Sequence, residues 1–268
     1  MRFRIKFILS GKKQLLPLNY QYPVSAWIYK VLGTVDKKFT KILHEEGYKI
    51  NSGKAFKLFT FSRLSFPKHT WKIIPHSDRM QLWARNAWLE VSFQYPKQGE
   101  TFLTGLFNSQ KVYVGDKISG VKMEVSGIEA LREMDFNQNN DKAKVEVKAI
   151  TPIVMGLNTE ENKYEQYISP EHPAYKNLFL QNLIDKYKLT GKDYISKEDM
   201  DIEIIKIYPK TSLQTIKAHT TAETKVRGYY FDFELNAPVD IIRLGLNAGF
   251  GSMNSLGFGW CEVGTENV

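Results

Sequence analysis

The residues best suited to chemistry in this chain fall into two groups. The first is a glycine-rich run, Ala248-Gly249-Phe250-Gly251-Ser252-Met253-Asn254-Ser255-Leu256-Gly257-Phe258-Gly259-Trp260. Glycine tolerates positive φ and close backbone approach, while Phe250, Leu256 and Phe258 can anchor the loop. Successive N–H groups in such turns can form a nest for an anion such as phosphate. The same pattern also suits a glycine-rich hairpin that binds nothing. Two nucleotide motifs are excluded. A dinucleotide fingerprint needs a third glycine where Asn254 stands, and then a helix; only a short strand-like tail, 260–263, follows. A P-loop needs Gly-Lys-Ser/Thr, which is absent.

The second group is scattered through the N-terminal part. His44 falls in the last turn of an expected short helix, where an imidazole can do acid–base work or simply cap the helix end. Tyr29 sits off the apolar stripe of its helix and can present a hydroxyl to a ligand, or be an ordinary boundary residue. Lys57, between Phe56 and Leu58 in a strand-like run, points to the polar side and alone reads as a solvated lysine. Metal chemistry finds little support. His44, His69, His76, His172 and His219 form no H-x-x-x-H pair, and no acidic two-metal cluster is evident. No metal or cofactor is therefore expected, and His69 and His76 read as surface or hairpin residues.

The elements that must carry these groups follow from periodicity. Met1, Phe3, Ile5, Phe7 and Leu9 alternate with Arg2, Arg4 and Lys6, a half-buried strand with a basic outer face. A helix follows with Pro23 in its first turn, Val24, Trp27, Ile28, Val31 and Leu32 on its apolar face, and Gly33 at its end. A second helix starts at an Asp36 N-cap, turns Phe39, Ile42 and Leu43 inward, and stops at Gly47. Strands are expected over 56–64, 83–93 and 117–126, with a short helix over 98–106. The polar segment 137–142 reads as a boundary. The pattern then restarts: strand 144–155, helix 174–189, strands 202–208 and 229–235, helix 239–246. Each half has the order strand–helix–strand–strand–helix–strand, the split βαβ motif. The fold class is thus α+β, two tandem ferredoxin-like (RRM-like) domains. The first, 1–138, carries Tyr29, His44 and Lys57; the second, 139–268, carries the glycine loop.

Composition agrees with a packed, basic, intracellular protein. The 268 residues are 43% hydrophobic and 13% aromatic, enough for a core. Lys and Arg outnumber Asp and Glu by 37 to 29, a formal charge of +8 that suits a polyanionic partner. Basic side chains recur at Arg63, Lys68, Lys72, Arg79 and Arg85, and again at Lys206, Lys210, Lys217, Lys225 and Arg227. Each alone reads as a solvated charge; together they suit a phosphate-binding groove. Tyr229 and Tyr230 are candidates for base stacking, though one must face the core. No apolar run is long enough for a membrane span, the charged start argues against a signal peptide, and the single Cys261 fits a reducing compartment. A cytoplasmic location with no membrane partner is expected.

The glycine loop resembles the signature of the repeat-associated RNA-binding superfamily of CRISPR systems. More narrowly, it is similar to the endoribonuclease family that cuts precursor CRISPR RNA within its repeats. The matching residues are Gly249, Gly251, Asn254, Ser255, Leu256, Gly257, Phe258 and Gly259. The Met-Arg-Phe start, 21–29, Leu43-His44-Glu45-Glu46 and Lys57-Leu58-Phe59-Thr60-Phe61-Ser62 resemble family segments in the same order. The resemblance implies two ferredoxin-like domains with RNA held on and between them. It implies an active site of Tyr29, His44 and Lys57, with Lys54 a rival because 50–53 can shift the alignment. It implies RNA contacts from Gly249, Gly251, Asn254, Ser255, Gly257, Gly259, Lys54 and Arg227. It further implies metal-independent cleavage by attack of the RNA 2′-hydroxyl, leaving 2′,3′-cyclic phosphate and 5′-hydroxyl ends. Whether His44 is general base or acid stays open, as do a homodimer and association with a CRISPR effector complex. Two rival readings stand beside it: a non-catalytic RNA-binding subunit of the same superfamily, and an unrelated ferredoxin-like enzyme with a small anion in the glycine loop.

Overall fold

The alternation at the N-terminus forms β1 (Arg2–Leu9), with Phe3, Ile5, Phe7 and Leu9 buried and Lys6 and Ile8 exposed. This computed structural model describes all residues except 12, 133–135, 137–140, 158–164, 193–194, 218–219 and 265–268. The expected boundary at 138/139 and His219 lie outside the described residues.

The helix after β1 is α1 (Gln21–Gly33), which buries Val24, Trp27, Ile28, Val31 and Leu32. Next comes α2 (Lys37–Glu45), started by Asp36, whose carboxylate accepts from the Phe39 N–H at 2.8 Å. Only Leu43 of its expected apolar face is buried; Ile42 is exposed. The expected strand 56–64 is broken. Its middle part is β2 (Phe59–Phe61), while Ala55–Phe56 pairs back on Tyr48–Lys49 in a small hairpin. The break falls at Leu58, which takes φ +54 and is buried in the core of the other half. The N-terminal sheet is completed by β3 (Asn86–Phe93), β4 (Lys111–Gly115) and β5 (Gly120–Ala130), with α3 (Pro96–Asn108) between β3 and β4. Pro96 opens α3, where its missing N–H costs nothing.

The sheet order is β2-β3-β1-β5-β4, every neighbour antiparallel. The C-terminal half repeats the plan with β6 (Lys142–Ala149), α4 (Tyr175–Tyr187), β7 (Asp201–Ile207), β8 (Phe231–Pro238), α5 (Val239–Ala248) and β9 (Cys261–Val263), in the sheet order β7-β8-β6-β9. In both halves the first and third core strands lie side by side at the centre, as the split βαβ motif requires. The strand β4 and two hairpins, Trp71–Ile73 with Arg79–Leu82 and Ser212–Ile216 with Thr224–Gly228, were not expected. They are short, and although Val112, Val114, Met80 and Leu82 are buried, three to five residues of alternation are too few to separate from loop in the sequence.

Each half has its own core. One gathers Phe7, Trp27, Phe59, Phe61, Phe93 and Phe102; the other gathers Phe179, Phe231, Phe233, Ile241 and Phe250. Among the described residues no helix is long and apolar enough to cross a membrane.

Candidate active site

Tyr29 leaves α1 toward α2, and its ring meets the His44 ring edge-on at 4.7 Å between centroids. His44 itself is exposed, on the solvent side of the last turn of α2. Phe59 packs edge-on against Tyr29 at 5.5 Å from the other side. Burial pushes the Tyr29 hydroxyl up to about 12, partly countered by a side-chain hydrogen bond with Ser255. The phenol therefore stays protonated at neutral pH.

Lys57 reaches the same spot by a route that strand parity does not supply. The strand is interrupted at Lys57 and Leu58, and both carbonyls there are held. Gln98 Nε2 donates to the Lys57 carbonyl at 2.9 Å, and the Gln94 N–H donates to that of Leu58 at 3.0 Å. The lysine side chain then runs over Gly47, and its Nζ donates to the His44 carbonyl at 2.7 Å. A Cβ at Gly47 would lie 3.2 Å from Lys57 Nζ and 2.7 Å from the Phe56 carbonyl, so the glycine clears the path. Burial first, then the Lys49 charge, lowers the Lys57 pKa; Glu46 opposes the shift.

The structure thus brings Tyr29, His44 and Lys57 together. Lys54 goes elsewhere: its Nζ pairs with Asp185 Oδ2 of α4 at 2.9 Å. Of the two rival lysines, Lys57 is the one that reaches His44.

Five N–H groups of the glycine loop are occupied within the protein. The N–H groups of Phe250, Ser252, Leu256, Gly257 and Gly259 all donate to protein carbonyls. Inside the loop sits a cation. Lys186 of α4, 1% exposed, donates to the Gly249 carbonyl at 2.6 Å, the Gly251 carbonyl at 2.7 Å and Asn254 Oδ1 at 2.8 Å. Asn254 Nδ2 donates in turn to the Phe250 and Phe258 carbonyls at 2.9 and 3.1 Å. Gly249, Gly251, Gly257 and Gly259 are buried at positive φ between +68 and +88. These four glycines and Asn254 build the loop rather than face solvent. Ser252, Met253, Ser255 and Leu256 form its half-exposed rim. The loop docks on the N-terminal half: Ser25 Oγ donates to the Ser255 carbonyl at 2.6 Å, and Thr60 Oγ1 to the Phe258 carbonyl at 3.0 Å.

A cleft of about 890 Å³ opens between the two sheets, lined by Arg4, Arg63, Trp71 and Trp88 from one half and Ile150 and Lys210 from the other. Tyr29, His44 and Lys57 do not line it. Arg4 is bound to Glu90 at 2.7 Å, and Arg63 lies over the Tyr230 ring at 4.9 Å, so Tyr230 is covered on that face. Tyr229 packs on the C-terminal core. Arg79 is corrected from the expected groove set: it is buried and paired with Asp78 and Asp116 at 3.0 and 2.7 Å. Arg227 is exposed on its hairpin, and its side chain has no hydrogen bond or ion pair among the described residues. His69 and His76 are exposed turn residues at φ +62 and +56. No group of three or more His, Cys, Asp or Glu among the described residues could hold a metal ion.

Sequence reading missed Gly47, Gln98, Ser25 and Lys186 as builders of the site. A signal existed for one of them: Lys186 falls in the helical stripe that also holds Tyr175, Phe179 and Leu183. A lysine at such a position must be paired or solvated by protein.

Residues 134–263 match the family described as CRISPR associated protein Cas6, C-terminal, and residues 15–127 match CRISPR-associated protein Cas6, N-terminal. The CRISPR-associated endoribonuclease Cas6 of Pyrococcus furiosus is 25% identical over 267 residues, covering 98% of this chain and 90% of that protein. The CRISPR-associated endoribonuclease Cas6 1 of Methanocaldococcus jannaschii is 26% identical over 250 residues, covering 91% of this chain and 86% of that one. The structure of a Cas6-related protein from Pyrococcus furiosus shares the fold, with a TM-score of 0.80 over 100% of this chain and 99% of that chain at 22% identity. Both halves match one family in the right order, on a fold shared with a structure related to it: the chain belongs to the CRISPR-associated Cas6 family.

Proposed function

We propose that this protein is an endoribonuclease that binds CRISPR repeat RNA and cuts precursor CRISPR RNA by attack of the 2′-hydroxyl on the adjacent phosphate. The half 1–138 carries the catalytic residues, and 139–268 carries the glycine loop. The observation that carries the reading is the convergence of Tyr29, His44 and Lys57 from separate elements on one partly open spot.

The chemistry needs three things at that spot. The 2′-hydroxyl loses a proton, negative charge develops on the phosphorane, and the leaving 5′-oxygen gains a proton. The His44 imidazole is exposed and serves as the proton-transfer group. The Lys57 ammonium stabilises the developing charge, a role a metal plays elsewhere. The Tyr29 phenol, neutral beside His44, orients the nucleophile by hydrogen bonding. No step calls for a divalent ion. The products are a 2′,3′-cyclic phosphate and a 5′-hydroxyl.

RNA binding draws on three features: the interdomain cleft with Arg63 and Lys210, the free Arg227 guanidinium, and the Ser255 rim of the glycine loop beside Tyr29. The relatives that are named endoribonucleases support the same reading.

Labelled repeat RNA tests the proposal. One deoxy substitution at the nucleotide before the scissile phosphate should stop cleavage and leave binding intact, because contacts elsewhere carry affinity. Excess EDTA should change nothing. Cutting of the deoxy substrate, or loss of activity in EDTA restored by a divalent ion, would refute the mechanism. Binding without any cutting would favour a non-catalytic RNA-binding subunit.

A further inference from the structure

The ammonium of Lys186 is the one buried cation, among the described residues, that the cleavage chemistry does not use and that lies inside the glycine loop. Its side chain leaves the last turn of α4 and ends within 2.6–2.8 Å of the Gly249 and Gly251 carbonyls and Asn254 Oδ1. Three acceptors call for three donors. An ammonium has three N–H groups, a neutral amine only two. Gly249 also follows the C-terminus of α5, where the helix dipole favours a positive charge. Cys261 of β9 is the titratable group that faces it from the sheet, and burial keeps that thiol protonated.

What the lysine gathers is one end of a short chain of contacts. Asn254 begins a single turn, Asn254–Leu256, and Ser255 lies in it. The Ser255 carbonyl accepts from Ser25 of α1, and its side chain meets the Tyr29 hydroxyl. Tyr29 in turn stands against His44. A Cβ at Gly257 would lie 2.6 Å from the Phe61 ring, so the turn is seated on the N-terminal half without slack.

We infer that Lys186 is a positioning residue for the cleavage proposed above: by tying Gly249, Gly251 and Asn254 into one fixed loop, it holds Ser255 against Tyr29 and so holds the phenol beside His44. The inference rests on the catalytic reading of Tyr29 and His44. It makes a helix of the C-terminal half part of the support for a site in the N-terminal half. Burial lowers the Lys186 pKa, and the three acceptors at 2.6–2.8 Å oppose that by favouring the ammonium.

Two readouts on Lys186→Met separate this from simple damage to the fold. Amide hydrogen exchange over 252–257 should speed up while the β1 and β8 amides keep their protection, since local opening is read segment by segment. In single-turnover cleavage, kcat should fall by about tenfold to 10²-fold with KM little changed, the range for a displaced catalytic group. The loss should vanish when Tyr29→Phe is already present, because both changes act on one contact chain. Unchanged exchange over 252–257 overturns the clamp. Unchanged kcat, or a full extra loss on top of Tyr29→Phe, overturns the link to catalysis. If Lys186→Met does not fold, Ser255→Ala decides: a kcat loss at saturating RNA, whatever the change in KM, sustains the inference, and wild-type kcat ends it. A wild-type protein that cuts no repeat RNA would sink the catalytic reading, and the positioning role with it. The exchange measurement would still show whether the clamp exists.

Discussion

Lys57 reaches His44 because two neighbouring residues give it room and aim. Gly47, at φ +69, leaves open the path that any Cβ would obstruct, and Gln98 fixes the Lys57 carbonyl. Gly47→Ala should therefore lower the cleavage rate while RNA affinity holds. It should also cost about 1 kcal/mol of stability, the usual penalty for a side chain forced into positive φ. Single-turnover rates and a denaturant melt read the two effects separately; a variant with wild-type rate would show that Lys57 does not act from this position. His44→Ala has the larger expected effect. Removing a general acid or base slows such steps by about 10²-fold or more. Saturating-enzyme kinetics should show that loss with binding unchanged, and an unchanged rate would take His44 out of the mechanism.

Among the elements, α4 and the glycine loop bind the two halves of the molecule together. Phe250 seats the loop in the C-terminal core, stacked on Phe179 at 5.9 Å between centroids, and Gly245 supplies the space for its ring. At the other end Gly257 lies against Phe61. Gly257→Val should clash there and strain φ +87, costing about 1–3 kcal/mol. A thermal melt would show it, and a fully stable, RNA-binding variant would mean that the loop's seat on Phe61 is dispensable. Asp185, one residue before Lys186, makes the second tie through Lys54. Burial raises its pKa, but the Lys54 and Gln181 hydrogen bonds and the Lys188 charge outweigh it, and the carboxyl ends below its ordinary value. A carboxylate depressed in the folded state adds stability that is present above its unfolded pKa of about 3.9 and disappears as pH falls through the folded value. Urea unfolding should therefore find Asp185→Asn less stable than wild type at pH 7, with the gap closing below about pH 4. A gap that persists in acid would assign the loss to packing instead.

On the scale of the whole molecule, two ferredoxin-like units leave a cleft between their sheets whose basic groups are unequal. Arg4 is paired with Glu90, while Arg63 lies over the Tyr230 ring and stays exposed. Lys210, exposed at the edge of the cleft, is uncommitted among the described residues. Lys210→Ala should weaken RNA binding without sequence preference and reduce the slope of log K against log salt by about 0.7, the value for one lost contact to a single strand. Filter binding at several salt concentrations checks this. An unchanged slope would place the RNA backbone away from this cleft.

Much of this architecture is legible in the amino-acid sequence. Period-two and period-3.6 patterns place β1 and α1, because those segments bury one face in a single core; α4 and α5 are apolar enough to read as helices although they are buried over more than one face. Asp36 marks the start of α2, since an N-cap is a local device that needs no tertiary partner. The matched glycine loop and the Tyr29, His44 and Lys57 segments carry the resemblance to the endoribonuclease family. What tertiary structure alone decides depends on contacts distant in sequence. Leu58 abandons its strand because the core of the other half accepts its side chain, and that break, not strand parity, directs Lys57. Lys54 and Lys57 lie in one loop region, and only their partners, Asp185 and the His44 carbonyl, tell them apart. The glycine loop reads equally as an anion cradle or a plain hairpin, and only the fold shows that it encloses Lys186. No local pattern reports which way a loop's carbonyls turn until a residue 63 positions away fills its centre.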